Sequence, residues 1–302
     1  MNINTLKNDL LLLLTAIIWG FAFTAQRAGM EFLGPFTFNG IRFLIGSISI
    51  LPLIFLDNKK ELIKTSSITQ SSTNGANSKS LFIYGVVGGL LLYLGASLQQ
   101  IGIVYTSAGK AGFITGIYVI IVPILGIFFR KKAGWQQWTG AVLSITGLYF
   151  LSIKGSLRIN KGDVFVLLSA FFWASHVIAI SHFSPKVNAL KLAFIQYVIC
   201  GALSLITAFL LEYMSWILIM QAWIPILYGS LFSVGIAYTI QIFAQKEANP
   251  AHAAIILSLE GVFAVIGGWL ILGESLGFKG LLGCSLMLGG MFISQSTLFK
   301  KQ

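Results

Sequence analysis

Apolar residues in this chain come in long runs, interrupted by single polar residues and closed by short polar turns. About 20 such residues, rising ~1.5 Å each as an α-helix, span a ~30 Å hydrocarbon core. Runs of 18 or more predict ten membrane-crossing helices, at 10–29, 34–56, 81–105, 107–129, 135–153, 163–183, 188–211, 223–244, 250–272 and 277–297. Most connections are under ten residues, so consecutive helices should be antiparallel neighbours. The exception is 57–80, a Ser/Thr/Asn-rich stretch whose composition predicts a flexible loop. The expected fold class is an all-α polytopic membrane protein.

The pattern also repeats. A shift of 154 lays Leu13, Ala16, Trp19 and Ala25 on Leu167, Ala170, Trp173 and Ala179. A shift of 142 lays Gln99, Ala111, Ile114 and Gly126 on Gln241, Ala253, Ile256 and Gly268, the change of shift being the extra length of the 57–80 loop. Apolar matches are cheap in so biased a composition, and the weight rests on Trp19/Trp173 and Gln99/Gln241. Two five-helix repeats are expected, 1–153 and 154–302. Five is odd, so the second repeat enters the membrane with opposite polarity, giving inverted repeats about a pseudo-two-fold axis in the membrane plane. Two packings of such a bundle, one open to each side, can lie close in energy, and a site midway between the halves is expected.

Composition places the chain in a bilayer: 56% of residues are hydrophobic and 10% charged, against roughly 25% charged in soluble domains. The net charge of +11 could suit nucleic acid, but the basic residues sit in short clusters between apolar runs, which argues against that partner. With the N-terminus inside, thirteen of these cations fall on the cytoplasmic side and six opposite, predicting a multi-pass inner-membrane protein with both termini cytoplasmic. The first run lacks a small-residue cleavage site and reads as a retained helix. Cys200 and Cys284 lie within apolar runs and read as packing residues. There is no GxxxxGK[ST], HExxH or CxxC motif and no evident nucleophile–base pairing. Neither an enzyme nor a cofactor or metal is expected, and energy must come from a gradient rather than nucleotide hydrolysis.

Several segments carry a family resemblance: Ala16-Ile17-Ile18-Trp19-Gly20, Asn39-Gly40-Ile41-Arg42-Phe43, Thr106 through Tyr118 (TSAGKAGFITGIY), and Ser258-Leu259-Glu260-Gly261-Val262-Phe263-Ala264 with Leu272-Gly273-Glu274. Together they resemble the drug/metabolite transporter superfamily, in its EamA-type branch of ten-helix permeases. The resemblance implies secondary transport of small metabolites such as amino acids, or drugs, commonly as efflux. It also implies a central cavity among helices 1, 3, 4, 6, 8 and 9. One departure is Gly261, where the family commonly has proline after the glutamate; glycine loosens a helix less.

Glu260 is the one acid placed deep in a predicted span. Such a group is expensive in lipid, so it reads either as a substrate-binding or proton-coupling carboxylate or as a structural one bonded between helices. Tyr118 occupies the matching position in the first half, and either faces the same cavity or packs locally. Gln99 and Gln241 are matched amides that need a neighbouring helix, water or substrate; Tyr238 shares a face with Gln241. Trp19 and Trp173 form a second matched pair, with Phe23 and His176 one turn away, suited to flat, apolar or cationic substrates or else to packing. Arg42 reads as structural, snorkelling or pairing with an acid. Lys110 and His252, matched at the starts of their helices, read as gate or anion contacts or else as interface anchors. The expected partners are a small-molecule substrate and the bilayer, with protons as an option. The alternatives to a transporter are a non-transporting scaffold or receptor and, with less material in the sequence, an intramembrane lipid-modifying enzyme.

Overall fold

The structure, a computed structural model, describes residues 3–65, 74–129, 133–152, 160–272 and 277–295. In chain order it comprises α1 (Ile3–Gly29), α2 (Pro35–Ser49), α3 (Leu51–Thr65), α4 (Asn74–Tyr105), α5 (Ala108–Thr115), α6 (Tyr118–Phe128), α7 (Trp135–Ser152), α8 (Lys161–Phe183) and α9 (Ala189–Leu211). There follow α10 (Trp216–Gln221), α11 (Trp223–Leu227), a π-helical stretch (Tyr228–Tyr238), α12 (Thr239–Ala244), α13 (Pro250–Leu257), α14 (Glu260–Leu272) and α15 (Phe278–Gln295). No strand occurs among the described residues.

Eight helical rods among the described residues are long and apolar enough to cross a membrane. They are Leu6–Gly29, Pro35–Asn58, Ser78–Tyr105, Ala108–Phe128, Lys161–Phe183, Ala189–Leu211, Trp223–Ala244 and Pro250–Ile271. The two predicted spans outside that set correspond to α7 and α15; the apolar part of α15 is the shorter segment Phe278–Ser294. These two helices pack along each other. Large apolar side chains such as Phe128, Phe209 and Leu210 lie on the outer surface, as expected where lipid is the solvent.

The polar 57–80 segment is less loop-like than its composition predicts: α3 continues to Thr65 and α4 begins at Asn74, with residues 66–73 outside the described set. Once a span has nucleated a helix, each further residue adds a hydrogen bond, and a sequence such as KKELIK propagates it readily. Sharp starts have side-chain causes. Asn160 and Asp163 form a reciprocal capping box on α8, Asn188 caps α9, Ser107 caps α5 and Asn249 caps α13 ahead of Pro250.

Two spans are interrupted midway, and in matching fashion. Between α5 and α6, Ile117 N–H donates to Ile114 and Val119 N–H to Gly116, at 3.2 and 3.0 Å; between α13 and α14, Leu259 donates to Ile256 and Gly261 to Ser258, both at 3.1 Å. Each is a tightened i to i−3 turn, 142 residues apart. The residue that opens each second half-helix is Tyr118 in one case and Glu260 in the other. The interruption at Glu260 therefore occurs with Gly261 in place of proline.

Candidate functional site

A narrow cavity lies between the interrupted helices. Its lining is Trp19, Phe23 and Gln26 from α1, Gln99 from α4, and Thr115 and Tyr118 from the α5/α6 rod. Trp173 and Val177 of α8 face these, with Ser233, Tyr238 and Gln241 from the π-helical span and Leu257 and Glu260 from the α13/α14 rod. Its free volume is about 30 Å³. The space is a closed-down slot, so a ligand larger than a few atoms requires the helices to move apart.

Eight of the nine sequence-predicted site residues line this slot: Trp19, Phe23, Gln99, Tyr118, Trp173, Tyr238, Gln241 and Glu260. His176 does not. It lies behind the wall, bonded at 2.8 Å to Gln196 Oε1 and edge-on to Trp173 and Tyr238. The position one turn from Trp173 is shared between the cavity and the α8–α9 packing, and Val177 takes the lining place instead. Tyr238 is the hub of the aromatic wall, with ring centroids 4.5 Å from Trp19 and 6.0 Å from Trp173.

Gln26, which shares the face of Trp19 and Phe23 in sequence, also lines the slot, and Thr115, Val177, Ser233 and Leu257 complete the lining without having been singled out by sequence. Two of them carry a usable signal: Val177 is the 154-shift mate of Phe23, and Leu257 the 142-shift mate of Thr115. Ser233 sits in the π-helical stretch, whose widened turns release backbone carbonyls from the regular ladder. The Ser233 carbonyl accepts from Trp19 Nε1 at 3.3 Å.

The hydrogen bonding is unevenly completed. Gln99 Nε2 donates to Thr115 Oγ1 at 3.0 Å, and Gln100 Nε2 to the Gln26 carbonyl at 3.3 Å. Gln26 Oε1, Trp173 Nε1 and Gln241 Oε1 are buried without a protein partner. Leaving such an atom unsatisfied costs about 1–3 kcal/mol, so three in one cavity favour a polar occupant. Glu260 is 4% exposed and stands beside the Tyr118 hydroxyl. No lysine, arginine or histidine is among the lining residues. Arg42, 1% exposed, neither snorkels nor pairs with a carboxylate; its Nε donates to Asn39 Oδ1 at 3.0 Å and its guanidinium lies over the Phe38 and Phe43 rings.

Outside the cavity, Asp9, His252 and Ser294 form a hydrogen-bonded chain: His252 Nε2 is 2.9 Å from Asp9 Oδ1 and Nδ1 2.8 Å from Ser294 Oγ. The sequence offers no obvious nucleophile–base pairing, and this one is assembled from three distant helices. Ser294 is 1% exposed, packed where no substrate carbonyl could reach it, so the chain acts as a tie between helices. Among the described residues, no group of three His, Cys, Asp or Glu could hold a metal ion.

Known proteins agree with this architecture. The model of the EamA-like transporter family matches residues 6–153 and again 160–295. An uncharacterized transporter of Archaeoglobus fulgidus is 29% identical over 296 residues, covering 96% of this chain and 86% of its own. The uncharacterized transporter YoaV of Bacillus subtilis is 24% identical over 299 residues, covering 95% and 96%. The uncharacterized inner membrane transporter YedA of Escherichia coli is 23% identical over 266 residues, covering 86% and 81%. A solved crystal structure superposes with a TM-score of 0.74 at 16% identity, covering 97% of both chains, which establishes likeness of fold. The chain is a multi-pass membrane protein and belongs to the EamA-like transporter family.

Proposed function

We propose that the protein is a secondary transporter working by alternating access, with the slot around Glu260 as its substrate site. The observation that carries this is the slot itself: an aromatic-walled space at the two interrupted helices, with one carboxylate and three unpartnered polar atoms among its lining residues. Discontinuous helices at mid-membrane are the usual means by which transporters offer polar groups to a substrate. Rings of Trp19, Trp173 and Tyr238 with Glu260 and no opposing cation suit a small, flat molecule carrying a protonated amine, among amino acids, other metabolites or drugs. Glu260 is the group to exchange a proton for that substrate.

The ten-helix, two-repeat arrangement, 1–153 and 154–302, belongs to the same proposal. Its support is the twofold family match, the matching interruptions, and five mated pairs in the lining: Trp19/Trp173, Phe23/Val177, Gln99/Gln241, Thr115/Leu257 and Tyr118/Glu260. Basic-residue asymmetry supports an orientation with both termini in the cytoplasm of an inner membrane.

Thermal unfolding of the detergent-purified protein with a panel of aromatic amines, amino acids, nucleosides, sugars and lipophilic cations, at two pH values, tests the reading. A ligand at ~100 times its Kd stabilises the folded state by about 2.7 kcal/mol. The expected hit is an amine whose shift depends on pH and is absent in Glu260→Gln. Hits confined to neutral or anionic compounds, unaffected by that substitution, would remove Glu260 from the site.

A further inference from the structure

Two side-chain pairs that are mates in the sequence, one an ion pair and one a His–Asp hydrogen bond, tie together helices that line the cavity. In one, Lys110 Nζ, in the first turn of α5, lies 2.6 Å from Asp163 Oδ2, in the first turn of α8. In the other, His252, in the first turn of α13, lies 2.9 Å from Asp9 of α1. The 154 shift carries Asp9 onto Asp163, and the 142 shift carries Lys110 onto His252. The capping residues of α5 and α13, Ser107 and Asn249, are 142 apart as well. Both acids are nearly buried, with side chains 6% exposed.

The pairs lie on opposite faces. Asp9 is near the start of α1; the spans Leu6–Gly29, Pro35–Asn58 and Ser78–Tyr105 then cross three times before Lys110 is reached. Each pair joins the half-helix before an interruption to a helix of the other cavity wall: α5 to α8, and α13 to α1. Each is also anchored locally. Thr106 Oγ1 donates to Asp163 Oδ1 at 3.0 Å and the Asn160 N–H to Oδ2 at 2.9 Å, while Ser294 of α15 holds the far side of His252.

Resting on the carrier reading above, we infer that Lys110–Asp163 and Asp9–His252 are the two gates of the transport cycle. Each gate closes one face, and the structure, with both formed over a slot too tight for substrate, is the occluded state. Opening towards one face breaks one pair while the symmetry-related pair holds the other face shut. Burial makes each pair a switch with two settings, since a separated acid at these positions must reach water to remain charged.

The test reads accessibility and needs no substrate. Ser233→Cys is placed on the cavity wall in a chain whose own thiols are removed by Cys200→Ser and Cys284→Ser. A membrane-impermeant maleimide is then applied to either face of oriented vesicles. Asp163→Asn should speed labelling about tenfold from one face alone, and Asp9→Asn about tenfold from the opposite face alone, as expected when a closed state loses its holding contact. The exchange Lys110→Asp with Asp163→Lys should return labelling to the slow rate. Where an Asp variant fails to insert, Lys110→Gln and His252→Gln break the same pairs. Equal acceleration from both faces, or none in folded variants, would overturn the gate assignment. A cavity cysteine that labels only after denaturation, in every variant, would instead overturn the carrier reading beneath it.

Discussion

The two walls of the slot match in backbone but differ in how far their side chains are committed. In the first half Trp19 gives its indole N–H to Ser233 and Gln99 gives its amide to Thr115. Their mates Trp173 and Gln241 each retain a buried polar atom without a partner, and the carboxylate Glu260 stands where the first half has the phenol of Tyr118. At these mated positions the first-half group is tied to the protein and the second-half group keeps an open polar atom, although Gln26 Oε1, also contributed by the first half, is open as well.

Substitutions at mated positions sharpen that contrast. The largest effect is expected at Glu260 against Tyr118: Glu260→Gln should weaken ligand binding about 10- to 100-fold, the value of a charge-assisted contact of ~1.5–3 kcal/mol, whereas Tyr118→Phe should cost about threefold to tenfold. Titration calorimetry on the two variants checks the ranking, and equal losses would contradict the division. Next comes packing behind the walls. Gly20 lies where α1 crosses α14, and a methyl group there would meet the Glu260 carbonyl oxygen at 2.8 Å, while its mate position is already Ala174. Gly20→Ala should lower stability by about 1–3 kcal/mol through overpacking, and Ala174→Gly by roughly 1 kcal/mol or less; thermal denaturation of both settles the asymmetry.

Smaller still is the tryptophan pair. Trp173→Phe removes an uncommitted donor and should reduce affinity about threefold, while Trp19→Phe, which breaks a protein hydrogen bond worth ~0.5–1.5 kcal/mol, should appear in the melting temperature instead. The glutamines should repeat the pattern more faintly: Gln241→Ala should lower affinity and Gln99→Ala stability, each by about 1 kcal/mol. If both members of either pair move the same observable, the walls are equivalent.

Most of the slot could be read from the sequence because its residues are anomalies in an apolar background. Glu260, Gln99 and Gln241 are conspicuous at the depth where polar groups are rare, and Trp19 with Trp173 fixed the frame of the repeat. Leu257 and Val177 were hidden by the same logic, since an apolar lining residue looks like any other apolar residue. The interruptions before Tyr118 and Glu260 lack a proline at the break and arise from tightened turns that tertiary packing imposes. Nothing in the local pattern of Tyr228–Tyr238 announces a π-helix, and α10 falls in the 212–222 connection, where no helix is expected. The proposed gate pairs are half visible: Lys110 and His252 are matched in the repeat, but nothing in the local pattern joins them to Asp163 and Asp9, themselves mates at the 154 shift.

The contact between α7 and α15 has a mechanical meaning. Gly140 faces Gly290 and Gly147 faces Gly283 so closely that a methyl on Gly140 would stand 2.7 Å from the Gly290 carbonyl oxygen, and one on Gly147 2.5 Å from that of Gly283. The glycine pairs run in opposite directions along the two helices and bring backbone against backbone, with the Met287 side chain seated against Gly147. A seam of that kind admits no added volume, so any side chain placed on these glycines would force the two helices apart.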